Sequence, residues 1–408
     1  MRCRHCKTEL THTFIDLGSS PPSNAYITKD LLQEAEQWYP LKVMVCDCCW
    51  LLQTEDFVKS YEMFANDYAY FSSYSTSWLK HAKSYVEEVS SKFNLNSEST
   101  VVEIAANDGY LLQYVKDKNI PCYGIEPTHS TAQAARKKNI EIIEDFFGVN
   151  IASSLVKQGR QANLMVANNV LAHVPDINDF VKGFSILLKS NGVATFEFPH
   201  ILHLINNNQF DTIYHEHYSY LSLTSVRNIF EFNGLTVFDV EQIPTHGGSL
   251  RIYAQRSDFG NHKVNTNVLD LQRKEDQEGI SSIELYQGFQ EKAEDIKVNF
   301  LSFLLKAKKS GLSVVGYGAA AKGNTLMNFS GIRPDLLAYV VDKSSAKQGK
   351  YMPGSRLPIM DEIQLKKDQP NYVVIFPWNI KNEVIEQLNY IKEWGGKFVI
   401  FIPSIQVI

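Results

Sequence analysis

The sequence predicts an α/β fold in three parts: a small cysteine-bearing segment at the N-terminus, then two Rossmann-like lobes of alternating strands and helices. Three observations carry this expectation. Cys3-x-x-Cys6 and Cys46-x-x-Cys49 present four thiols in two pairs. "STVVEIAANDGYLLQYVKDK" runs from a β-branched strand through a turn of small residues into an amphipathic helix. "LSVVGYGAAAKGNTLMNFSG" repeats that transition after residue 311. The 408 residues exceed one typical domain, and the expected divisions are 1–75, 76–288 and 289–408.

Composition narrows the class. With 44% hydrophobic and 21% charged residues the chain buries real cores. Its net charge of −5 is spread over both signs, without the basic block that nucleic acid or an anionic membrane selects. No apolar run reaches the length of a bilayer span. "MRCRHCKTEL" lacks the apolar segment of a signal peptide, so a cytoplasmic location is expected. In a reducing compartment the six cysteines serve better as metal ligands or spares than as disulfides. No heptad is sustained, and a monomer is expected.

Taking the elements in order, the two Cys-x-x-Cys turns are the common way to offer Zn²⁺ four thiolates. Cys3, Cys6, Cys46 and Cys49 are therefore the predicted ligands of a structural zinc ion. It would staple about 60 residues with little core of their own. His5 and His12 are substitute ligands, and Cys122 in "IPCYGIE" is a packed strand residue.

The next strand and turn follow the E/D-x-G-x-G-x-G template of an S-adenosylmethionine turn, with Glu103, Ala105, Asn107 and Gly109 at its positions. Two of three glycines are replaced, although small side chains still admit close approach to a ligand. "GIEP" ends the second strand with Glu126 and Pro127, where an acid holds a ribose diol. Asp145 and Phe146 follow, suited to an adenine amino group and ring. A fourth strand ends at Asn168 and Asn169, with His173 just beyond. The phosphate loop G-x-G-x-x-G is absent, which favours a phosphate-free sulfonium cofactor over a dinucleotide. Thr224 or Ser225 caps a short helix ending at Asn233-Gly234, and two strands around His246-Gly247-Gly248 close the sheet, as in class I methyltransferases.

Residues 267–309 read as one or two bridging helices. The third part then opens on Gly316, Gly318 and Gly323 with Lys322, a loosened strand-to-helix turn whose N–H groups suit a phosphate. A strand ending in Asp342 and the strands "YVVIFPW" and "KFVIFIP" complete a small parallel sheet. The reading is a nucleotide-sugar site, with diphosphate at Ala319–Thr325 and Lys347 and Trp378 near base or sugar. Gly318, Ala319, Lys322 and Asn324 belong to that set. A purely structural lobe and a nicotinamide domain are the alternatives.

With these motifs in hand, the chain resembles the sugar C-methyltransferases of deoxysugar biosynthesis, which act on nucleotide-linked 4-ketosugars. The resemblance rests on the paired Cys-x-x-Cys turns, "VVEIAANDGYLL", "GIEP", "ANNVLAHVPD", "YHEHYSYLS", "HGGSLR" and "GYGAAAKGNTLMN", in order along the chain. It implies a structural zinc, S-adenosylmethionine in the middle part and a dTDP- or GDP-linked ketosugar against the third. It also implies that Tyr214, Glu216 and His217 are catalytic, that His173 lines the site, and that an upstream tyrosine contributes, Tyr70 with Tyr68 as its substitute.

"YHEHYSYLS" admits three readings. One is a metal triad of His215, Glu216 and His217, another a structural aromatic loop, the third an acid/base site. C-methylation needs a carbon nucleophile, so a base must take the C3 proton made acidic by the neighbouring carbonyl. An imidazole of ordinary pKa suits that task, and His217 is the candidate. Glu216 would orient it or hold a hydroxyl, with Tyr214 and His173 donating to the enolate oxygen. His246 is placed with the substrate-binding residues. An NAD(P)-dependent oxidoreductase, an O-methyltransferase and a non-catalytic scaffold remain the rival functions.

Overall fold

The computed structural model describes residues 1–57 and 71–408; Tyr68 and Tyr70 lie outside them. Strands β1 (His12–Ser20), β2 (Tyr39–Val45) and β3 (Leu52–Thr54) form an antiparallel sheet. Its fourth strand is not local. It is β9 (Ser219–Tyr220), the latter half of "YHEHYSYLS", paired antiparallel to β3.

The middle lobe alternates strands and helices. These are α1 (Thr76–Lys92), β4 (Val101–Ile104), α2 (Leu112–Asp117), β5 (Cys122–Ile125), α3 (His129–Lys137), β6 (Glu141–Ile143), α4 (Val149–Lys157), β7 (Ala162–Asn168), α5 (Ile177–Leu187) and β8 (Leu188–Pro199). The lobe ends with α6 (Ile201–Asn206), β9, α7 (Leu223–Phe232), β10 (Leu235–Ile243) and β11 (Ser249–Arg256). The sheet order is β10-β11-β8-β7-β4-β5-β6, with β4 to β8 parallel and β11 antiparallel between β8 and β10. Polar strand ends therefore collect on one edge of a doubly wound sheet, where such folds bind ligands. The cap of α7 differs from expectation. Ser222 closes the capping box with Ser225, so the helix starts two residues before a Thr224 cap would allow, and Ser225 serves as the third helical residue instead of the cap.

Helices α8 (Thr266–Glu278) and α9 (Phe289–Lys309) lead to the third part. There β12 (Val314–Tyr317), α10 (Ala321–Phe329), β13 (Val340–Val341), β14 (Ile359–Met360), α11 (Ile363–Asp368), β15 (Tyr372–Ile375), α12 (Lys381–Gln387), β16 (Lys397–Ile400) and β17 (Gln406–Val407) succeed one another. The sheet order is β14-β13-β12-β15-β16-β17. It is parallel except for β17, which pairs antiparallel to β16, so the expected all-parallel sheet is mixed at one edge.

Continuous apolar packing welds the parts. Cys3, Met44, Cys46 and Leu51 share one buried cluster with α4, α5 and α7 of the middle lobe. Phe14, Ile15 and Val43 of the N-terminal sheet share another with α6, α9 and β12. Among the described residues no helix is long and apolar enough to cross a membrane.

Candidate active site

The four predicted zinc ligands converge. Cys3 and Cys49 Sγ lie 3.5 Å apart, as do Cys6 and Cys46, and all four sulfurs fall within 4.8 Å of one another. A tetrahedral ion with Zn–S bonds of about 2.3 Å needs sulfur separations of about 3.8 Å, so the residues fit the metal. Each knuckle ends on a left-handed residue, Lys7 (φ 64°) and Trp50 (φ 60°). For residues with a Cβ that conformation costs roughly 1–2 kcal/mol, a strain that convergence of the sulfurs explains. The substitute ligands are corrected. His5 Nδ1 pairs with Asn178 Oδ1, and His12 lies beside Asp47.

The turn after β4 resolves the missing glycines. Ala105 (φ 56°), Asn107 (φ 48°) and Gly109 (φ 74°) all adopt positive φ. The glycine-rich backbone path is kept with alanine and asparagine in it, and asparagine tolerates that region. Gly109 is required, since a Cβ there would meet Ile140 at 2.5 Å. Glu126 accepts from Asn107 N and Thr128 N at 2.9 Å. Burial raises Glu103 well above the usual carboxylate range, with Asp108 and Glu126 adding like charge. At the end of β7, both amide atoms of Asn168 are buried without a partner among the described residues. An acidic, backbone-lined cradle with an unsatisfied amide fits a cationic ligand such as S-adenosylmethionine. Asp145 Oδ1 accepts from Phe146 N, and the Phe146 ring is exposed. Pro127 sits between Glu126 and Thr128.

"YHEHYSYLS" is a turn followed by a strand, closed by His217 N donating to Tyr214 O at 2.9 Å. The three residues of the metal-triad reading diverge. His215 Nε2 meets the Tyr39 and Pro40 carbonyls, and Glu216 takes both oxygens to Asn24 Nδ2 at 2.9 and 2.7 Å. His217 Nδ1 is 2.8 Å from Thr212 O. The metal-triad reading is overturned, because each side chain is committed to a different partner.

The bonds of His217 define its tautomer. The Thr212 carbonyl only accepts, so Nδ1 carries the proton and Nε2 the lone pair. Tyr214 Oη donates to that lone pair at 2.8 Å. Burial, aided by His173, Lys322 and His246, drives the His217 pKa well below its ordinary value. The His173 ring lies edge-on to His217 at 4.6 Å, and burial lowers His173 to about 4. Glu216 is pushed up to about 7 by burial against the Asn24 donors.

The third part packs directly against the segment that carries this cluster. Thr325 Oγ1 on α10 donates to Ile213 O at 2.8 Å. Trp378 Nε1 donates to Asp211 Oδ2 at 2.7 Å, and a Cβ on Gly247 would strike the Trp378 ring at 2.6 Å. Lys322 Nζ donates to Asn379 Oδ1 and lies 5.1 Å from the Trp378 ring. Burial raises Asp211 to about 7. His246 (φ 53°) receives Asn169 Nδ2 at 2.9 Å and meets the Trp78 edge. Trp78 also stacks on Tyr110 of the turn after β4 and on His81, whose Nε2 pairs with Glu197.

Part of the predicted phosphate turn is already engaged. Ala319 N donates to Asp342 Oδ2 at 2.8 Å, and Ala319 O accepts from Tyr26 Oη and Lys347 Nζ. Asp342 also accepts from Ser344 N. The acid that a nicotinamide ribose would need is thus spent on the protein's own backbone. Gly318 (φ 90°) is required, as a Cβ would meet Pro377 at 2.5 Å. Asn324 is buried on α10, its Oδ1 accepting from Asn328.

The structure therefore gathers Tyr214, His217, His173, His246, Lys322 and Trp378, and holds Glu216 beside them through Asn24. Lys347 shares the Ala319 carbonyl with Tyr26, which also bonds Asn24, and Asn324 precedes Thr325 on α10. Asn24, Tyr26, Trp78, His81, Glu197 and Asp211 escaped the sequence reading. "PPSNAY" carries no periodic or spacing signal, and Asn24 meets its partner 192 positions away.

The depressed histidines have a checkable consequence. Ring signals of His217, His173 and His246 should stay at their neutral positions on titration from pH 8 to pH 5.5. A midpoint near about 6.5 for His217 would contradict the burial described here. A lowered folded pKa means that the unfolded chain binds more protons on acidification. The stability held by these rings is present above about 6.5 and is lost as pH falls from there toward about 4.

Comparison with known proteins gives a consistent result. Family models match a zinc binding domain over residues 3–64, a methyltransferase domain over 78–240 and a C-methyltransferase C-terminal domain over 244–403. The C-methyltransferase NovU of Streptomyces niveus is 30% identical over 406 residues, covering 100% of this chain and 96% of that protein. Among solved structures, magnesium protoporphyrin IX methyltransferase from Synechocystis PCC 6803 with bound SAM has a TM-score of 0.34 at 15% identity. It covers 44% of this chain and 79% of that one. PH0226 protein from Pyrococcus horikoshii OT3 has a TM-score of 0.38 at 13% identity, covering 49% and 99%. Likenesses at this distance carry no argument about activity.

Proposed function

The chain belongs to the S-adenosylmethionine-dependent C-methyltransferases, and from that premise we propose that it methylates C3 of a nucleotide-linked 4-keto-deoxysugar through an enolate. The observation that carries the reading is the Thr212–His217–Tyr214 hydrogen-bond chain. It holds a neutral imidazole with its lone pair on Nε2 and a phenol already seated there.

In this reading the C3 proton moves to Tyr214 Oη as the phenol proton moves to His217 Nε2. The step leaves an imidazolium and an enolate, so the site's total charge is unchanged. Lys322 opposes the imidazolium but favours the enolate, and His173 stands beside the ring that changes charge. Pre-placed charge of this kind needs no reorganisation during reaction, and each good donor is worth about 3–4 kcal/mol. Bound S-adenosylmethionine supplies the electrophilic methyl group. Glu103, Ala105, Asn107, Gly109, Glu126, Pro127, Asp145, Phe146 and Asn168 would hold it. Alignment of donor and carbon between the two lobes can contribute about 7–11 kcal/mol. Lys322, Lys347, Asn324 and Trp378 would hold the nucleotide-sugar from the third part, the Gly318–Ala319 turn supplying close backbone approach rather than free N–H donors. Cys3, Cys6, Cys46 and Cys49 would hold a structural zinc, their four thiolates leaving no coordination position for a reactant.

Mass spectrometry on the purified protein, cofactor and a panel of dTDP- and GDP-ketosugars tests this. One sugar should gain a methyl group, and its C3 proton should exchange in deuterium oxide when S-adenosylhomocysteine replaces the cofactor. Methyl transfer to oxygen, or no exchange at C3, would defeat the reading.

A further inference from the structure

We infer that Arg4, carried between two of the metal-binding cysteines, is a positioning residue that fixes the two active-site histidine loops against each other. The inference rests on the reading of His217 as the base and of the four cysteines as a metal site.

Arg4 is the second residue of Cys3-x-x-Cys6, and its side chain is only 5% exposed. Its Nη2 donates to Thr54 O at 2.8 Å, and its Nη1 donates to Pro175 O at 2.8 Å. These carbonyls belong to different elements, and each leads to one histidine. Thr54 ends β3, where its Oγ1 donates to His217 O at 3.1 Å and its N to Tyr218 O at 3.2 Å. Pro175 lies two residues after His173. One guanidinium therefore clamps the strand that anchors His217 to the loop that carries His173. A planar fork with donors in fixed directions can span two acceptors in a way an ammonium cannot.

The clamp is tied to the metal site through its own backbone N–H. Arg4 N donates to Gln53 Oε1 at 2.7 Å, and Gln53 Nε2 reaches Cys3 Sγ at 3.3 Å. Gln53 is fully buried and pairs with Ser219 of β9. Asp56, half exposed, offsets the charge at 2.7 Å, and the guanidinium lies over the Tyr218 ring. A shift of the knuckle thus moves Arg4, and with it the edge contact between His173 and His217, which a displacement of about 1 Å would spoil.

The test uses the full-length, zinc-loaded protein with ¹⁵N-labelled histidine, the ring signals being assigned from His173→Asn and His217→Asn. Arg4→Met and Thr54→Val should each keep one zinc per chain yet shift or broaden both ring signals. Turnover should fall about tenfold or more with little change in KM. Arg4→Lys should restore part of the loss. Removing zinc from the unaltered protein with a chelator should move the same two signals. Unchanged ring signals and turnover in zinc-loaded Arg4→Met and Thr54→Val would overturn the inference. If Arg4→Met does not fold, Arg4→Lys, whose ammonium keeps the charge but cannot span the Thr54 and Pro175 carbonyls together, decides on the same readout: a smaller shift of both ring signals supports the clamp and none overturns it. Wild-type turnover in His217→Asn would defeat the assignment of the base while leaving the ring-signal result standing, so the two failures are distinguishable.

Discussion

Turnover of His217→Asn is expected to fall by about 10²- to 10⁴-fold, the usual contribution of a positioned general base. The asparagine can still reach Thr212 O, so the local turn should survive, but it places no basic lone pair beside Tyr214 Oη. The proposed cofactor cradle at Ala105–Gly109 and Glu126 belongs to other elements. Binding of S-adenosylhomocysteine, read by calorimetry, should therefore change by less than about twofold, as expected when an interaction made only in the transition state is removed. Solvent exchange at the substrate carbon should fall in step with turnover. If exchange persists at the unaltered rate, the proton leaves by another route and the assignment fails.

The second large effect concerns the metal. Cys46→Ser is expected to abolish zinc binding, for which structural sites supply about 10–16 kcal/mol of apparent free energy. The loss would not stay local. Cys3, Cys46 and Cys49 sit in the same buried cluster as Phe184, Phe196 and Phe230 of the middle lobe, and β3 is the strand on which β9 pairs. The thermal transition should drop, protease should cut the N-terminal part first, and turnover should disappear with it. Metal analysis gives the direct check: one zinc per chain before the substitution and none after. Retention of full activity in a metal-free variant would show that the apolar cluster alone holds the knuckle.

The elements of the fold and its three parts were legible because each rests on local chemistry. Two Cys-x-x-Cys turns declare a thiolate site whatever surrounds them. β-branched runs followed by small-residue turns declare strand-to-helix units, and the acid of Glu126 could be assigned to a strand end from spacing. The helix cap at Ser222 and the antiparallel edge at β17 were not legible, because both depend on where a neighbouring strand stops. The missing glycines misled in a similar way. Ala105 and Asn107 occupy left-handed backbone that the template reserves for glycine, so their identities hide a conformation they nevertheless adopt.

The sequence by itself determined which chemistry the chain carries: four thiols, an acid-rich cofactor turn, and an imidazole beside a phenol. Those are properties of residue type and short spacing, which a linear pattern preserves. Only the tertiary structure decided how they are used. It sent His215, Glu216 and His217 to three different partners and set the protonated nitrogen of His217 through a carbonyl five residues away. It brought Asn24, Lys322 and Trp378 to this cluster from positions far along the chain. The reason is that burial and the pairing of Glu216 with Asn24 depend on contacts closed by long loops, while the tautomer depends on how a short turn folds back on itself, and residue type alone reports neither.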